Sequence, residues 1–397
     1  MTTADSTQYR PTVAEIDLDA IAANFHTLRR LVEEDAFFCP MVKANAYGHG
    51  DVEVANTLRS AGATHLGVAS IEEGAALRAA GDQLSILVFG VFSEIECARA
   101  LLEWRMTPVV SCWSQVAALE RALSERTELD FSLRIHLKFN TGMNRLGFTV
   151  DEAPRIRAWL ESHPKFRLEG VCTHLLRGDD ADEKEGETAA QFAEFAKVLA
   201  SFRGLRFHAH ALNSAALSAF MHSEVARSLY DRATFGPLGA RPGIAIYGAQ
   251  GSDRAVLRLS LRPALQLKSR VEVVNHLKTG DCVSYSAQWR AQRESWVGVV
   301  PIGYADGYMR ALSNCGTVLC RGFRVPVIGT VCMDYLMIDL TDVARPGERL
   351  TFGDEVTLIG KQLSVDELAA RAGTISYEIL TRLGARVPKR YSRGDVG

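Results

Sequence analysis

The chain has 397 residues, of which 47% are hydrophobic and 23% are charged, so it can bury a large core and is long enough for two domains. Lysine and arginine number 45 against 47 aspartate and glutamate residues, and the net charge of -2 argues against a nucleic-acid or anionic-membrane partner. The polar first ten residues lack the apolar core of a signal peptide, and no apolar run reaches the ~18 residues of a membrane span. Together with eight cysteines that form no CxxC pair, these features predict a cytoplasmic protein with reduced thiols and no structural zinc.

From about residue 10 to residue 250, short apolar strand candidates alternate with helical periods. The first helix carries Ile21, Phe25 and Leu28 at helical spacing. The strand candidates lie at residues 37–43, 65–70, 85–90, 106–111, 133–139, 168–175, 207–213 and 238–243. Eight strands, each joined to the next by a helix, predict an α/β fold with a parallel (β/α)8 barrel of the TIM type. A doubly wound open sheet is the alternative, and the strand count ranks it lower.

After about residue 255 the pattern changes to segments that are rich in valine, alternate in polarity and are punctuated by glycine. Such segments are typical of antiparallel strands. Only SVDELAARAG and SYEILTRLG have a helical pattern there. The sequence therefore predicts two domains, a barrel at residues 1–254 and a mainly-β domain at residues 255–397.

Lys43 is the first candidate for chemistry, because it ends the first strand candidate. In a (β/α)8 barrel, reactive groups lie at the carboxyl ends of the strands, where the βα loops form the open mouth. A lysine with its ordinary pKa of about 10.4 is protonated and a poor nucleophile, but desolvation can lower that pKa enough for Schiff-base formation with an aldehyde. A strand-end lysine that only extends into solvent fits the same position. Position alone therefore leaves the role of Lys43 open.

The ten residues MVKANAYGHG around Lys43 resemble the pyridoxal 5'-phosphate (PLP) motif of alanine racemases. Further segments resemble those of the same family and follow in the same order from about residue 10 to residue 391. They are RPTVAEIDLDAIAANF, GVASIEEGAALRAAG, HLKFNTGMNRLGF, VCTHL, LNSAA, ARPGIAIYG, VSYS, VPIGYADGY, VPVIGTVCMDYLMIDL and GTISYEILTRLGARVPKRY. The resemblance implies a PLP-dependent alanine racemase of fold type III, which interconverts L-alanine and D-alanine and supplies D-alanine for peptidoglycan.

The resemblance also implies which residues hold the cofactor. Lys43 would form the covalent link, and His174 would lie against the cofactor ring. The phosphate would be held by the amides of Gly243 and Ile244 and the hydroxyls of Tyr47, Ser214 and Tyr377. Backbone amides beside a glycine turn after the last barrel strand can indeed form an anion nest. A plain turn that closes the barrel would have the same composition.

Arg241, in the same segment as Gly243, would contact the pyridine nitrogen of PLP. A guanidinium is always protonated and has no acceptor, so a ring nitrogen that it faces must accept a hydrogen bond and stay unprotonated. The cofactor is then a weaker electron sink than it would be beside an aspartate, which favours racemisation over transamination. Without the resemblance, the same segment would fit a surface arginine that precedes Pro242.

Racemisation requires two bases, because one base cannot reach both faces of the α-carbon of a clamped substrate. Tyr285 in VSYS matches the family's second base, so the resemblance implies that Lys43 acts on D-alanine and Tyr285 on L-alanine. In the family, two chains pack head to tail and exchange this tyrosine. The resemblance therefore implies a homodimer with shared active sites, with Met333 and Asp334 also supplied across the interface.

Arg145 resembles the family residue that binds the substrate carboxylate, for which a bidentate arginine is well suited. Lys138 matches a lysine that many family members carry as a carbamate, and it joins Asn213 and Asp334 as a supporting residue. The ten histidines form no HxxxH pattern, and the HAH segment at 208–210 lacks a third partner, so no metal is expected.

Four positions depart from the family pattern. Asp is usual at Asn140, an aromatic residue at Leu175, Gly at Ser286 and Arg at Thr330. Because Leu175 and Ser286 adjoin site residues, a serine racemase or one of broader specificity remains an alternative. A fold type III decarboxylase of basic amino acids would share Lys43, although GYADG, ARPGIAIYG and SYEIL fit the racemase pattern better. A non-catalytic PLP carrier is a third possibility, but a carrier does not need a β domain with a second base.

Overall fold

A computed structural model of the protein describes residues 9–126, 131–180, 185–251, 259–343 and 353–394. One sheet has seven parallel strands, in which neighbours in sequence are also neighbours in space. The strands are β2 (His65–Val68), β3 (Ser85–Val88), β4 (Thr107–Val110), β5 (Leu133–Lys138), β6 (Phe166–Cys172), β7 (His208–Leu212) and β8 (Leu238–Ala240). β4 is buried at all of its positions, as expected for a parallel strand that is covered on both faces.

Residues 37–42 close this sheet into a barrel without forming a regular strand. Phe38 forms an isolated parallel bridge to Ala240 of β8, and Met41 forms another to Gly67 of β2. Pro40 between them has no N–H to donate, so a continuous ladder cannot form. Of the eight strands that the sequence predicts, seven are therefore regular and the first is reduced to two bridges. The predicted barrel is confirmed with this correction at residues 37–43.

Helices cover the barrel with their apolar faces. The helix Glu187–Ser201 (α8), for example, buries Phe192, Phe195 and Val198. The other helical segments are α1 (Leu18–Arg29), α2 (Lys43–Tyr47), α3 (Asp51–Ser60), α4 (Ile71–Ala79), α5 (Ile95–Glu103), α6 (Trp113–Ser124), α7 (Ala153–Ser162), α9 (Ser214–His222), α10 (Glu224–Ser228), α11 (Arg232–Phe235), α12 (Val365–Arg371) and α13 (Ser376–Thr381). No helix of the described residues is long and apolar enough to cross a membrane.

The remaining strands form the mainly-β part that the sequence predicts. They are β1 (Val13–Asp17), β9 (Leu265–Arg270), β10 (Val273–Leu277), β11 (Cys282–Val283), β12 (Trp289–Arg290), β13 (Ser295–Val300), β14 (Thr317–Cys320), β15 (Phe323–Ile328), β16 (Leu336–Asp339), β17 (Glu355–Ile359) and β18 (Lys389–Ser392). Nine of them form one sheet in the order β10-β13-β16-β15-β14-β17-β9-β1-β18, and β11 pairs with β12 separately. Within the described part of this region the two predicted helical segments are α12 and α13.

The nine-stranded sheet also brings distant parts of the chain together. β1 lies between β9 and β18, and Ala14 is the parallel partner of Lys389. The strand that precedes the barrel in sequence therefore belongs to the mainly-β sheet. The domain boundary predicted between residues 254 and 255 lies outside the described residues.

The interior of the barrel combines apolar and polar side chains. An apolar cluster contains Phe37, Cys39, Leu87, Val109 and Cys172. Around it lie four polar residues that are also almost fully buried, namely His136, Lys138, His210 and Arg241. Because a buried polar group is costly unless it is paired, this mixture points to chemistry at the barrel centre.

Candidate active site

Lys43 is the first residue of α2, which is a left-handed turn. The four residues that follow it, Ala44, Asn45, Ala46 and Tyr47, have φ angles between 51° and 53°. This conformation costs an L-residue about 1–2 kcal/mol relative to the right-handed one, so surrounding contacts must hold it. None of the four is a glycine, and backbone strain is therefore concentrated directly after Lys43.

The Glu73 carboxylate holds one side of this turn. Its Oε1 accepts the N–H of Ala44 at 2.6 Å, and its Oε2 accepts the N–H groups of Ala69 and Ser70 at 2.7 and 3.2 Å. Ser70 in turn caps α4 by accepting the N–H of Glu73. One carboxylate therefore joins the turn after Lys43 to the end of β2 and the start of α4.

The mainly-β part holds the other side of the turn. Gly48, with φ of 81°, approaches the Leu380 carbonyl so closely that a Cβ would overlap its oxygen. A Cβ on Gly50 would likewise overlap the hydroxyl of Tyr391 in β18. Contacts from the barrel part and from the mainly-β part therefore enclose the turn that follows Lys43.

Cationic side chains gather around Lys43 at the mouth of the barrel. Desolvation lowers the pKa of Lys43, and the charge of Arg145 lowers it further while Glu73 opposes the shift. Burial lowers the pKa of Lys138 to about 8, and the charges of Arg241, Arg145 and Lys43 act in the same direction. Among the described residues, none of Lys43, Lys138 and Arg145 has a carboxylate within ion-pair distance. The lowered pKa values make the neutral amines, which are the state that a nucleophile needs, more accessible here.

Arg241 follows β8 and is almost fully buried. Its Nη1 donates to His210 Nδ1 at 2.6 Å and to the His210 carbonyl at 2.8 Å. Its Nη2 donates to the Thr173 carbonyl at 2.7 Å and meets His174 Nδ1 at 3.3 Å. These contacts use four of the five N–H groups of a guanidinium. Within the described structure the remaining Nε–H has no acceptor, so it is left for a ligand.

The sequence predicts His174 within the sixth barrel strand. In the structure it lies two residues beyond the end of β6. Burial lowers its pKa well below the ordinary value, and the nearby charge of Arg241 adds to this shift. The imidazole is therefore neutral, so its ring can lie against a flat ligand without adding a charge.

A cradle for an anion lies after β8, where the sequence predicts the phosphate site. Ser214 Oγ accepts the N–H groups of Gly243 at 3.1 Å and Ala245 at 3.4 Å, which leaves its own proton free to be donated. In the described residues the N–H of Ile244 has no acceptor. A Cβ on Gly243 would overlap the Tyr47 hydroxyl, so this glycine makes room for that group.

Two phenols line the same cradle. The rings of Tyr47 and Tyr377 lie 5.9 Å apart, and the Tyr377 hydroxyl also lies beside Gly251. Desolvation raises the pKa of Tyr47 well above its ordinary value and raises that of Tyr377 to about 12. Both hydroxyls therefore keep their protons and can donate them to an anion.

Arg145 is exposed on a loop that Asn140 organises. The Asn140 Oδ1 accepts the N–H groups of Gly142 at 3.2 Å and Asn144 at 2.8 Å, and its amide donates to Asn144. An aspartate, which is usual at this position in the family, would accept the same two N–H groups. Asn140 therefore preserves the loop that presents Arg145.

Asn213 connects the cradle to its surroundings. Its Oδ1 accepts the N–H of Ala216 at 3.0 Å and thereby caps α9. Its Nδ2 reaches the Leu175 carbonyl at 3.5 Å, a long contact. Its place beside Ser214 is consistent with the predicted supporting role.

Tyr285 is not brought to the Lys43 side of the site within one chain. Its side chain is 70% exposed, on a turn in which Ser284, Ser286 and Ala287 have positive φ. It borders a cavity of about 480 Å³ whose lining residues all come from the mainly-β part. Among the described residues, no hydrogen bond, ring contact or ion pair joins Tyr285 to the barrel mouth.

Met333 and Asp334 also lie in the mainly-β part. Met333 is 52% exposed, and Asp334 accepts a hydrogen bond from Arg386 at 2.7 Å. The structure therefore places the predicted site residues in two groups, one at the barrel mouth and one on the exposed surface around Tyr285.

The departures from the family pattern differ in their local settings. Leu175 is buried in the main core, so it does not line an open pocket. Ser286 has φ of 62°, a conformation in which the glycine usual in the family would be unstrained, and nothing in the structure explains the serine. Thr330 donates to the Tyr285 carbonyl at 3.1 Å, and its own carbonyl accepts the Ser284 hydroxyl at 2.6 Å. Thr330 therefore anchors the turn that carries Tyr285.

Sequence reasoning did not identify two residues that shape the barrel mouth. Glu73 has the S-x-x-E spacing of a capping box, and that signal predicts only its bond to the start of α4. The second bond, to Ala44, joins segments that are far apart in sequence. The sequence presents His210 only as half of a weak metal pattern. In the structure its Nδ1 accepts a hydrogen bond from Arg241.

Comparison with known proteins identifies the family. The profile described as "Alanine racemase, N-terminal domain" matches residues 16–251, and "Alanine racemase, C-terminal domain" matches residues 264–391. The alanine racemase of Geobacillus stearothermophilus is 40% identical over 393 residues, which cover 97% of this chain and 94% of that protein.

Solved structures agree with this result. Alanine racemase from E. faecalis superimposes with a TM-score of 0.85 at 33% identity, covering 97% of this chain and 99% of the other. Alanine racemase from Bartonella henselae "with covalently bound pyridoxal phosphate" has a TM-score of 0.82 at 29% identity, with 96% and 99% coverage. Since both profiles match in order and the similarity extends over nearly the whole chain, the protein belongs to the alanine racemase family.

Proposed function

We propose that this protein is an isomerase that interconverts L-alanine and D-alanine with PLP as its cofactor. The observation that carries this proposal is the combination, within a member of the alanine racemase family, of a desolvated Lys43 and an anion cradle after β8. Formation of D-alanine would serve the cell wall, which is the family's role. The eight free cysteines are consistent with work in the reducing cytoplasm.

The residues present fit PLP. The Ile244 N–H, the Ser214 hydroxyl and the phenols of Tyr47 and Tyr377 supply uncommitted donors for a phosphate, and Gly243 leaves space between them. Arg241 keeps one N–H for a ring nitrogen, and His174 offers a neutral ring. Lys43 supplies an amine whose pKa is already lowered. When bound, the cofactor supplies an aldehyde for a covalent link and a ring that withdraws electrons from the substrate α-carbon.

Lys43 and Arg145 act on the substrate from the barrel mouth. The exposed guanidinium of Arg145 would bind the carboxylate and so orient the α-carbon. Lys43 Nζ would remove the α-proton of D-alanine, or deliver a proton when D-alanine is the product. The lowered pKa of Lys43 increases the fraction of neutral amine that can accept this proton.

The opposite face requires Tyr285 of the partner subunit. Support comes from the exposure of Tyr285 and Met333, which leaves both side chains available to another copy. A homodimer in which each chain lends these residues to the other would complete two equivalent sites, as a two-fold interface requires. The partner's Tyr285 would take the α-proton of L-alanine, and the partner's Met333 and the partner's Asp334 would border the substrate.

We further propose that Lys138 carries a carbamate. A neutral Lys138 amine can attack carbon dioxide, forming an N–C bond and releasing one proton, and its pKa of about 8 makes the neutral form accessible. The product is an anion among Lys43, Arg145 and Arg241, where the described residues offer no ion-paired carboxylate. Such an anion would pair with Arg145 and hold it towards the substrate.

Alanine is favoured over a larger substrate. Leu175 is buried in the core, so it does not enlarge the pocket. The test is chiral analysis of the purified protein with PLP and each common L-amino acid. D-alanine as the main product supports the proposal, faster formation of D-serine supports the alternative racemase, and carbon dioxide from lysine or ornithine supports a decarboxylase. No turnover of any amino acid would indicate a carrier.

The shared site is tested by mixing two inactive variants. Lys43→Ala and Tyr285→Phe chains, unfolded and refolded together in equal amounts, would give mixed dimers with one intact site each. Random pairing then restores about one quarter of the wild-type activity, whereas unshared sites restore none. Each variant refolded alone is the control.

A further inference from the structure

Arg241 is one end of a line of buried polar groups that crosses the barrel interior. His210 lies on β7, His136 on β5 and Glu169 on β6, so three neighbouring strands contribute. His210 Nε2 is 2.8 Å from His136 Nδ1, and His136 Nε2 is 3.5 Å from Glu169 Oε2. His210, His136 and Glu169 have no role in the reaction proposed above.

The direction of this line follows from the chemistry of arginine. A guanidinium can only donate, so His210 Nδ1 accepts from Arg241 and the proton of this neutral ring is on Nε2. His136 Nδ1 must then accept from His210, which places the proton of His136 on Nε2 as well. Reversing any bond would place two donors opposite each other in a buried site, which is costly.

Among the residues that the structure describes, Glu169 is the one acceptor near the last proton, which is on His136 Nε2. The contact of 3.5 Å is longer than an ordinary hydrogen bond. However, His136 Nε2 and Glu169 Oε2 are both buried and have no other partner among the described residues. Desolvation opposes ionisation of Glu169, but the proton from His136 and the charge of Arg134 lower its pKa to about 2, so it stays an anion.

The surroundings agree with neutral rings. Burial lowers the pKa of both His210 and His136, and the charge of Arg241 acts in the same direction on each. His65 and His208 lie close by and, with His136 and His210, surround the ring of Phe37 at 4.5 to 5.8 Å. In the part of the chain that the structure describes, no His, Cys, Asp or Glu cluster is arranged to hold a metal.

We propose that Glu169 and His136 are positioning residues, which act through His210 to fix the guanidinium of Arg241 so that its remaining N–H meets the cofactor ring. Each donor in this chain of bonds faces towards Glu169. Glu169 ends the chain because its carboxylate accepts a proton contact without donating one. If that end is lost, the His136 proton has no acceptor and the His136 ring is free to rotate away from His210. Arg241 keeps its bonds to the His210 and Thr173 carbonyls, but the imidazole that orients it loses its own support, although no residue at the barrel mouth has changed.

The first test uses the wild-type protein and does not depend on the cofactor. Nitrogen-15 labelling of histidine, with His136→Asn and His210→Asn variants for assignment, reports the tautomer of each ring by NMR. We expect both rings to be neutral with the proton on Nε2 at pH 7. A proton on Nδ1 of either ring, or a cationic ring, would overturn the proposal.

The second test rests on the proposed function. Glu169→Leu removes the acceptor, whereas Glu169→Gln keeps an oxygen that can accept from His136. Equilibrium dialysis should show that PLP binds about tenfold more weakly to the Leu variant and within about twofold of wild type to the Gln variant. Arg134→Gln, which changes the exposed neighbour of Glu169, is the matched control and should behave as wild type.

The NMR signal of a nitrogen-15-labelled cofactor ring separates positioning from a merely structural role. It should shift in Glu169→Leu and stay unchanged in Glu169→Gln and Arg134→Gln. An unchanged signal and unchanged affinity in the Leu variant would refute the positioning role. If no variant and no wild-type protein bound PLP, the proposed function would fail, but the tautomer result would still decide the chain of bonds.

Discussion

Lys43 and Tyr285 both lie on turns with left-handed backbone, but the two turns differ in what surrounds them. The turn after Lys43 is held by Glu73 from the barrel and by Leu380 and Tyr391 from the mainly-β part. The turn around Tyr285 is held by Thr330, while the side chain itself is 70% exposed. One chain therefore positions the amine by its own contacts, whereas it leaves the phenol exposed, and in the proposed dimer a second copy would supply the environment of the phenol.

The largest effect is expected from a change at Lys43, which precedes the preorganised turn. Lys43→Ala should abolish the covalent link to PLP and slow racemisation by at least about a thousandfold, because the amine supplies both the link and one proton transfer. Borohydride reduction followed by peptide mass spectrometry checks the link. Lys278→Ala, at an exposed lysine, is the control. Labelling of the same peptide in both variants would contradict the assignment of Lys43.

Tyr285→Phe tests the exposed side and should produce a one-sided defect. Exchange of the α-proton of L-alanine with deuterated solvent should slow by about a hundredfold, while exchange from D-alanine changes much less, because Lys43 still serves that face. NMR of each enantiomer measures both rates. Tyr9→Phe, at an exposed tyrosine, should change neither rate. Equal slowing of both exchanges would argue against opposed bases.

Glu73→Gln weakens the support of the Lys43 turn without touching the site. An amide has one oxygen in place of two, so either the Ala44 N–H or the pair at the start of α4 loses its acceptor. We expect a loss of about 1–3 kcal/mol in the free energy of unfolding, measured by denaturant titration. Glu72→Gln, at the exposed neighbouring position, should change stability little. Equal stability of both variants would show that Glu73 does not hold the turn.

The last effect is a dependence of stability on pH that originates in the barrel part of the chain. Burial lowers the pKa of His49 and of His65 to about 4, from an ordinary value near 6.5. Between these values the unfolded chain binds protons that the folded chain does not, so the free energy of unfolding falls as the pH falls. The expected loss between pH 6.5 and pH 4 is about 2–3 kcal/mol per histidine.

Denaturant titrations at several pH values measure this loss. His49→Gln should reduce the dependence by the contribution of one histidine, whereas His276→Gln, at an exposed histidine in the mainly-β part, should leave it unchanged. If the wild type, His49→Gln and His276→Gln all showed the same slope of unfolding free energy against pH, His49 would not be a source of the dependence.

Much of the fold was predictable because periodicity reports burial directly. The strands from β2 to β8 and the change to alternating segments after residue 255 both appear in the sequence as hydrophobic patterns. The first barrel strand was predicted as regular, since apolar residues fill positions 37–42. Pro40 signalled the interruption, and its missing N–H explains it.

The site was predictable to the extent that its residues lie in motifs. Ser214, Gly243 and Arg241, which the motifs single out, lie close to one another after β7 and β8. The left-handed turn at Ala44 to Tyr47 carries no local signal, because no glycine marks it. The bonds of Glu73 to Ala44 and of His136 to His210 join distant segments, and residue spacing along a chain does not report such contacts.

The pairing of β1 with β18 has a consequence for how the protein is made. Residue 391 contributes to the contacts around Lys43, and residues 389–392 complete the edge of the nine-stranded sheet. A nascent chain on the ribosome cannot form these contacts until residues 389–392 have left the exit tunnel. The amine is therefore set in place only after more than three hundred residues beyond Lys43 have been synthesised, and products truncated before residue 389 should lack a competent active site.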